Sequence, residues 1–252
     1  MCDSSGTELR RRVVERQAQM YSIDSRVRFS ETDKNHKLRL NSMINYFQDC
    51  STFQSESLGL GIEDLKQYGK SWVLSSWQIV VNRYPEMKEY IRVETWPTAF
   101  EGLYGTRNFR LCTKDGEVLA YANSIWVFMD IVKGRPCRPT EDDIKDYPVE
   151  PAMEMDYAPR KITMPKEMED VAMFSVMHSQ IDTNDHMNNS QYVSLAQEIL
   201  PEGYVYSQIR VEYKKSAVYG DSIRASLAVE EDRTVVVLTD ENNKVYATVE
   251  FK

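Results

Sequence analysis

The sequence predicts an α+β fold built from two related modules, each a helix followed by an antiparallel meander that wraps it. Three observations predict it. The chain repeats itself: Ser30-Glu-Thr-Asp33-Lys-Asn35 lies over Ser179-Gln-Ile-Asp182-Thr-Asn184 without a gap, and the register runs on to Gln48-Asp49 over Gln197-Glu198. Further along, Leu111–Ala120 matches Val237–Ala247 with one inserted residue, and two matches in the same order mark an internal duplication. Within each repeat a helical apolar period gives way to runs of β-branched and aromatic residues. Six of the nine prolines fall between Pro136 and Pro165, where regular elements should be few.

In chain order, residues 1–19 form an N-terminal tail or helix. Glu8–Gln19 reads as a solvated helix; it carries Arg10, Arg11, Arg12 and Arg16 and lacks the apolar stretch of a signal peptide. The N-terminal module spans 20–130. Its helix, Leu40–Leu58, places Leu40, Met43, Ile44, Phe47 and Phe53 at mostly helical spacing. Asn41, or Asn189 in the second module, is a candidate helix cap. Strands follow at Trp72–Asn82, Ile91–Thr98, Tyr104–Cys112 and Val118–Met129, with Asp115-Gly116 as a hairpin turn. A proline-rich crossing occupies 131–167, with one helical turn expected at Thr140–Asp146. The C-terminal module spans 168–252. It has a strand at Ala172–Met177, a helix at Ser190–Ile199, and strands at Ser207–Tyr213, Ile223–Glu230, Thr234–Thr239 and Val245–Phe251.

Composition narrows the class of function. The chain has 252 residues, 42% hydrophobic and 28% charged, which excludes a disordered, collagen-like or disulfide-scaffold protein. Its apolar runs are far short of the ~20 residues a membrane span needs, so no membrane is expected. A net charge of -8 argues against a nucleic-acid partner. Residues 1–40 nonetheless hold nine Lys/Arg against six Asp/Glu, a basic start on an acidic body. Cys2, Cys50, Cys112 and Cys137 are widely spaced, and read as reduced thiols of a cytoplasmic protein.

The densest polar cluster is His178-Ser-Gln-Ile-Asp182-Thr-Asn184-Asp-His186-Met-Asn188-Asn189, in a loop that enters a helix N-terminus. Free amides and positive potential there suit a polarised carbonyl or an oxyanion. Asp182 is a candidate general base or an orienting partner of His186. Asn184 is suited to bind a carbonyl or fix a water, and His186 to shuttle a proton. An Asx-rich loop that only turns and caps has the same composition. The spacing of His178, Asp182 and His186 fits none of the common zinc patterns, so no metal is expected.

These residues also carry a resemblance. The run from Asp182 to Tyr192 resembles the D-x-N-x-H-x-N-N-x-x-Y signature of acyl-acyl-carrier-protein thioesterases of the plant and bacterial type. Phe29-Ser-Glu-Thr-Asp33, Asn45-Tyr-Phe-Gln-Asp49 and Val211-Glu212-Tyr213-Lys214-Lys215 are similar to other segments of that family, and the likeness spans about residues 20–252. It implies a tandem hotdog fold, in which two helices are each wrapped by a curved antiparallel sheet. It also implies hydrolysis of fatty acyl thioesters on acyl carrier protein, with no metal or organic cofactor.

The family's aspartate, asparagine and histidine fall on Asp182, Asn184 and His186. The first module keeps Asp33 and Asn35 but has Lys37 in the histidine's register position, with His36 one residue off. One active site is therefore expected, built on the second module. Met43, Phe47, Trp77 and Trp126 of the first module are expected to line the acyl pocket.

Plant members continue E-Y-R-R with a glutamate and a cysteine; here Ser216-Ala217 follow. That excludes a cysteine nucleophile at this point and leaves a water mechanism. Ser216 and Glu212 are possible auxiliaries, with Glu198 as another carboxylate. Docking of the acidic carrier falls to Lys214 and Lys215, with Arg10–Arg12 and Arg160-Lys161 as weaker candidates. A chain with both modules is expected to be a monomer or a homodimer. Acyl-coenzyme A hydrolysis, non-catalytic acyl binding and a dehydratase of similar fold are the alternatives.

Overall fold

The computed structural model describes residues 20–252. The helix expected at Glu8–Gln19 and the arginines at 10–12 lie outside them. The first module begins with β1 (Tyr21–Arg26), a 3-10 turn (Phe29–Glu31) and α1 (Leu40–Ser57), followed by α2 (Ile62–Gln67). Its meander is β2 (Lys70–Val81), β3 (Tyr90–Glu101), β4 (Tyr104–Thr113) and β5 (Val118–Asp130). The crossing contributes β6 (Arg135–Pro136) and α3 (Glu141–Ile144). The second module repeats the order with β7 (Glu169–Ser175), a 3-10 turn (His178–Gln180), α4 (Asn189–Glu198), β8 (Gln208–Tyr213), β9 (Ser222–Val229), β10 (Thr234–Thr239) and β11 (Val245–Phe251). Neither β1 nor α2 was expected from the sequence.

The strands form one antiparallel sheet in the order β1-β3-β4-β5-β2-β8-β11-β10-β9-β7, and β6 pairs with β5. The modules join where β2 pairs with β8, Trp77 opposite Val211 and Ile79 opposite Ile209. Both helices lie against one face of this sheet, α1 beside α4. Strand alternation decides what faces them: Trp77, Ile79, Phe109, Leu111, Val211 and Phe251 are buried in the common core with Met43, Ile44, Phe47, Val193 and Ala196 from the helices. Each of the Val, Leu, Ile, Phe and Met side chains among these stabilises the fold by about 1.5–3 kcal/mol on burial.

Caps correct one expectation. Asn189 is already helical, and the cap of α4 is Asn188, whose Oδ1 accepts from the Ser190 N–H and Oγ–H at 2.9 Å each. The N-cap of α1 is Arg39, with no side-chain cap, while Asn41 Oδ1 accepts from the Ser42 N–H.

Beyond α3 the crossing is ordered without regular structure because outward-facing polar side chains of the sheet satisfy its backbone. Trp96 Nε1 donates to Pro151 O, and Asn108 Oδ1 accepts from Met153 N. Gln78 donates to Asp156 O and accepts from Ala158 N. Arg210 donates to Pro159 O and Lys161 O, and is itself held by Glu250 at 2.7 Å.

Candidate active site

The expected site residues lie on the loop between the second 3-10 turn and α4. Asp182 builds that loop. Its N–H donates to His186 O at 2.8 Å, its carbonyl accepts from Asp185 N at 3.1 Å, and its Oδ1 accepts from Asn184 N at 2.8 Å. The chain reverses at Asp185, whose φ is 59°; aspartate tolerates that left-handed conformation. Asp182, Asn184 and His186 thus share one tight turn. Asp182 is half-buried, and Asn184 and His186 are exposed. Among the described residues, no protein group holds the Asn184 amide side chain or the His186 imidazole, so both are free to meet a ligand.

The base of the loop is clamped. Met187 N donates to Ala217 O at 2.8 Å, and Ala217 N donates to the Tyr192 hydroxyl at 2.8 Å. Tyr213 packs edge-on against Tyr192, and its hydroxyl donates to Asn189 O at 2.9 Å. Burial pushes the Tyr192 phenol up to about 12, so it stays protonated and neutral. Tyr192 belongs to the quoted motif, but its spacing gave no sign that it would hold the 216–217 segment.

Other expected residues separate. Ser216 is exposed beside Ala217, and so next to the loop. Glu212 is not: Val211 and Tyr213 face α4, which turns Glu212 to the opposite face of the sheet. There it accepts from Ile162 N at 3.3 Å and lies 3.7 Å from Lys214 Nζ. Glu198 stands at the far end of α4, about 14 Å along the helix from its start. Two first-turn donors of α4 are already occupied, Ser190 N by the Asn188 side chain and Gln191 N by the Asn188 carbonyl. The Asn184 side-chain amide, by contrast, has no protein partner among the described residues. Lys215 pairs with Asp240 at 2.7 Å and lies 4.8 Å from the centre of the Tyr246 ring.

Met43, Phe47 and Trp77 pack in the closed core between α1 and its sheet, with Phe47 and Trp77 ring centres 6.0 Å apart and Phe109 within 5.3 Å of both. Trp126 is half-buried at its rim and donates to Ser124 Oγ at 2.7 Å. An open cavity of about 570 Å³ lies instead on the outer face, between Tyr157, Arg210, Arg233 and Glu250. Its opposed charges are already paired: Glu250 bridges Arg210 and Arg233 at 2.7 Å each.

Residues 18–147 match the acyl-ACP thioesterase N-terminal domain and residues 163–251 the acyl-ACP thioesterase C-terminal domain. The chloroplastic oleoyl-acyl carrier protein thioesterase of Coriandrum sativum is 25% identical over 255 residues, covering 90% of this chain and 68% of that protein. The chloroplastic palmitoyl-acyl carrier protein thioesterase of Gossypium hirsutum is 25% identical over 84% of this chain and 55% of its own length. The chain thus spans between about half and two thirds of the plant proteins it matches. An acyl-ACP thioesterase structure from Bacteroides thetaiotaomicron superposes with a TM-score of 0.84 at 22% identity, covering 92% of this chain and 96% of that one. The 12:0-ACP thioesterase of Umbellularia californica superposes at 0.81 with 18% identity, covering 92% and 96%. These likenesses establish the fold, a tandem hotdog, and no helix among the described residues is long and apolar enough to cross a membrane. With both domain matches together taking in most of its length, the chain belongs to the acyl-ACP thioesterase family.

Proposed function

We propose that this chain hydrolyses fatty acyl-acyl carrier protein thioesters, releasing the free fatty acid and ending chain elongation. The observation that carries the reading is the unbroken run from Asp182 to Tyr192, standing on a clamped loop that leaves Asn184 and His186 free. Asp182 and His186 align and deprotonate a water. Its oxygen bonds to the thioester carbonyl carbon, and the Asn184 amide stabilises the oxyanion. The carbon–sulfur bond then breaks, and the proton taken up by His186 passes to the departing thiolate. Ser216 is placed to position that water. No metal or cofactor takes part.

The division of the chain follows. Residues 168–252 carry the reaction, 20–130 receive the acyl chain around Met43, Phe47, Trp77 and Trp126, and 131–167 tie the two together. The carrier protein docks on Lys214 and Lys215, competing with their partners Glu212 and Asp240. The reading includes a cytoplasmic protein with reduced thiols, acting as a monomer or homodimer; Cys50, Cys112 and Cys137 are free.

The test is fatty acid release from acyl-ACP by the wild type, Asp182→Ala and His186→Ala. Equal rates in all three remove the site from the mechanism. Faster turnover of the same acyl group on coenzyme A replaces the carrier. The Ser216-Ala217 departure favours a second reading, a non-catalytic acyl binder; tight acyl-ACP binding with no product establishes it.

A further inference from the structure

Arg107 is the least expected side chain in the core. It sits on β4 in the alternation Arg107, Phe109, Leu111, all facing α1, and is 7% exposed. No carboxylate pairs with it among the described residues. Its Nη1 donates to Gln54 Oε1 on α1 and to Thr95 Oγ1 at 3.2 Å, and its guanidinium carbon lies 5.8 Å from the centre of the Tyr147 ring. Tyr147 is fixed in turn by a 3.0 Å hydrogen bond with Ser55. Nε and Nη2 have no acceptor among the described residues. Burial draws the Arg107 pKa down to about 10, which still leaves it charged at neutral pH. A buried cation without an anion is costly, because no paired charge repays its desolvation.

Sheet register gives its place relative to the candidate site. Val211, Trp77, Ser124 and Arg107 are paired in one row across β8, β2, β5 and β4, with their side chains on the helix face. Val211 is two residues from Tyr213, which touches the start of α4. Arg107 stands three strand spacings away in this row, about 14 Å, with Pro97 of β3 beyond it. Trp77 stands between Val211 and Arg107 in the row and Phe47 packs on it, both assigned to the acyl chain, and Phe109, beside Arg107 on β4, packs against both rings.

We infer that Arg107, held by Gln54 and Thr95, ends the path an acyl chain takes where it parts the packed aromatic core of the first module, and sets the longest acyl chain that is hydrolysed efficiently. This rests on the proposed thioesterase reading. An alkyl end fits against the aromatic wall, but one pressed further covers guanidinium donors that have no other partner. That desolvation penalises each added carbon.

The experiment measures kcat/KM over saturated acyl-ACPs of increasing length for the wild type, Arg107→Met and Arg107→Lys. Arg107→Met keeps the bulk and removes the charge; it is expected to move the optimum to longer chains and to raise the long-to-optimal ratio about tenfold or more. Arg107→Lys is expected to keep the wild-type optimum. An unchanged length profile in Arg107→Met overturns the inference while leaving the hydrolase reading intact. Absence of hydrolysis by the wild type overturns that reading instead. A crystal structure of the wild type with a non-cleavable acyl-pantetheine amide decides the point without turnover or a folded variant. The terminal methyl is expected against Arg107 and Tyr147, and a chain running elsewhere sinks the inference.

Discussion

The loop at 182–188 and its counterpart at 33–39 have the same backbone and different side chains. Asp182 N to His186 O and Asp33 N to Lys37 O are both 2.8 Å. Asn184 N to Asp182 Oδ1 and Asn35 N to Asp33 Oδ1 are also both 2.8 Å. Asp185 and His36 both turn the chain with φ near 60°. The loop floor matches as well: Met187 N donates to Ala217 O as Leu38 N donates to Pro85 O. Duplication therefore preserved a scaffold made by aspartate and one left-handed residue. What differs is the group offered to solvent, His186 in one loop and Lys37 in the other. The difference continues below: Ala217 has an N–H, and Tyr192 accepts it, whereas Pro85 has none, and Met43 stands in the tyrosine's repeat position. The scaffold is common to both modules, and the side chains it presents to solvent are not.

The largest expected effect breaks or keeps that contrast directly. Asp182→Ala and His186→Ala should each lower kcat/KM on acyl-ACP by about two to four orders of magnitude, and Lys37→Ala should leave it unchanged. Steady-state hydrolysis assays measure it, and comparable losses in the two loops would end the distinction. Stability sharpens the comparison next. Tyr192→Phe strands the buried Ala217 N–H and should cost about 1–3 kcal/mol in urea unfolding. At the matching position, Met43→Leu conserves volume and should cost less than about 1.5 kcal/mol. The helix starts differ in the same direction. Asn188→Ala should cost about 1 kcal/mol, while Arg39→Ala, which removes no side-chain cap, should stay within about 0.5 kcal/mol.

Much of this was legible in the sequence, for reasons that can be stated. The repeat register located both loops, because an Asx turn needs its aspartate at a fixed distance from the residues it caps. Helix α1 and the long strands were legible through their apolar periods. Strand β1 was not: its burial alternates, but Tyr21, Ile23 and Ser25 are only partly covered at the sheet edge, so its pattern is weak. Glu212 was misleading for the opposite reason. It lies beside motif residues in sequence, yet strand alternation turns it to the far face, where Ile162 N occupies it. Arg107 could have been found from the alternation with Phe109 and Leu111, which placed it inward. Nothing in the sequence paired it with Gln54, 53 residues away.

The smallest expected effect concerns the hairpin ends, where the modules also diverge. The β4–β5 turn is Lys114-Asp115-Gly116, while the β10–β11 turn is closed by Asp240, whose Oδ1 accepts from Asn242 N and Lys244 N at 2.9 Å each. The Lys215 ammonium, and then these amides, hold the Asp240 carboxyl below its ordinary 3.8. A carboxylate depressed by folding contributes stability that is present above its unfolded pKa and is lost as pH falls through its folded one. Asp240→Asn should therefore lower stability slightly at neutral pH. It should also flatten the loss of stability below about pH 4, measured by urea unfolding across an acid pH series. An acid slope unchanged by Asp240→Asn would show that the Lys215 pair contributes nothing there, and would leave Lys215 free for the carrier protein.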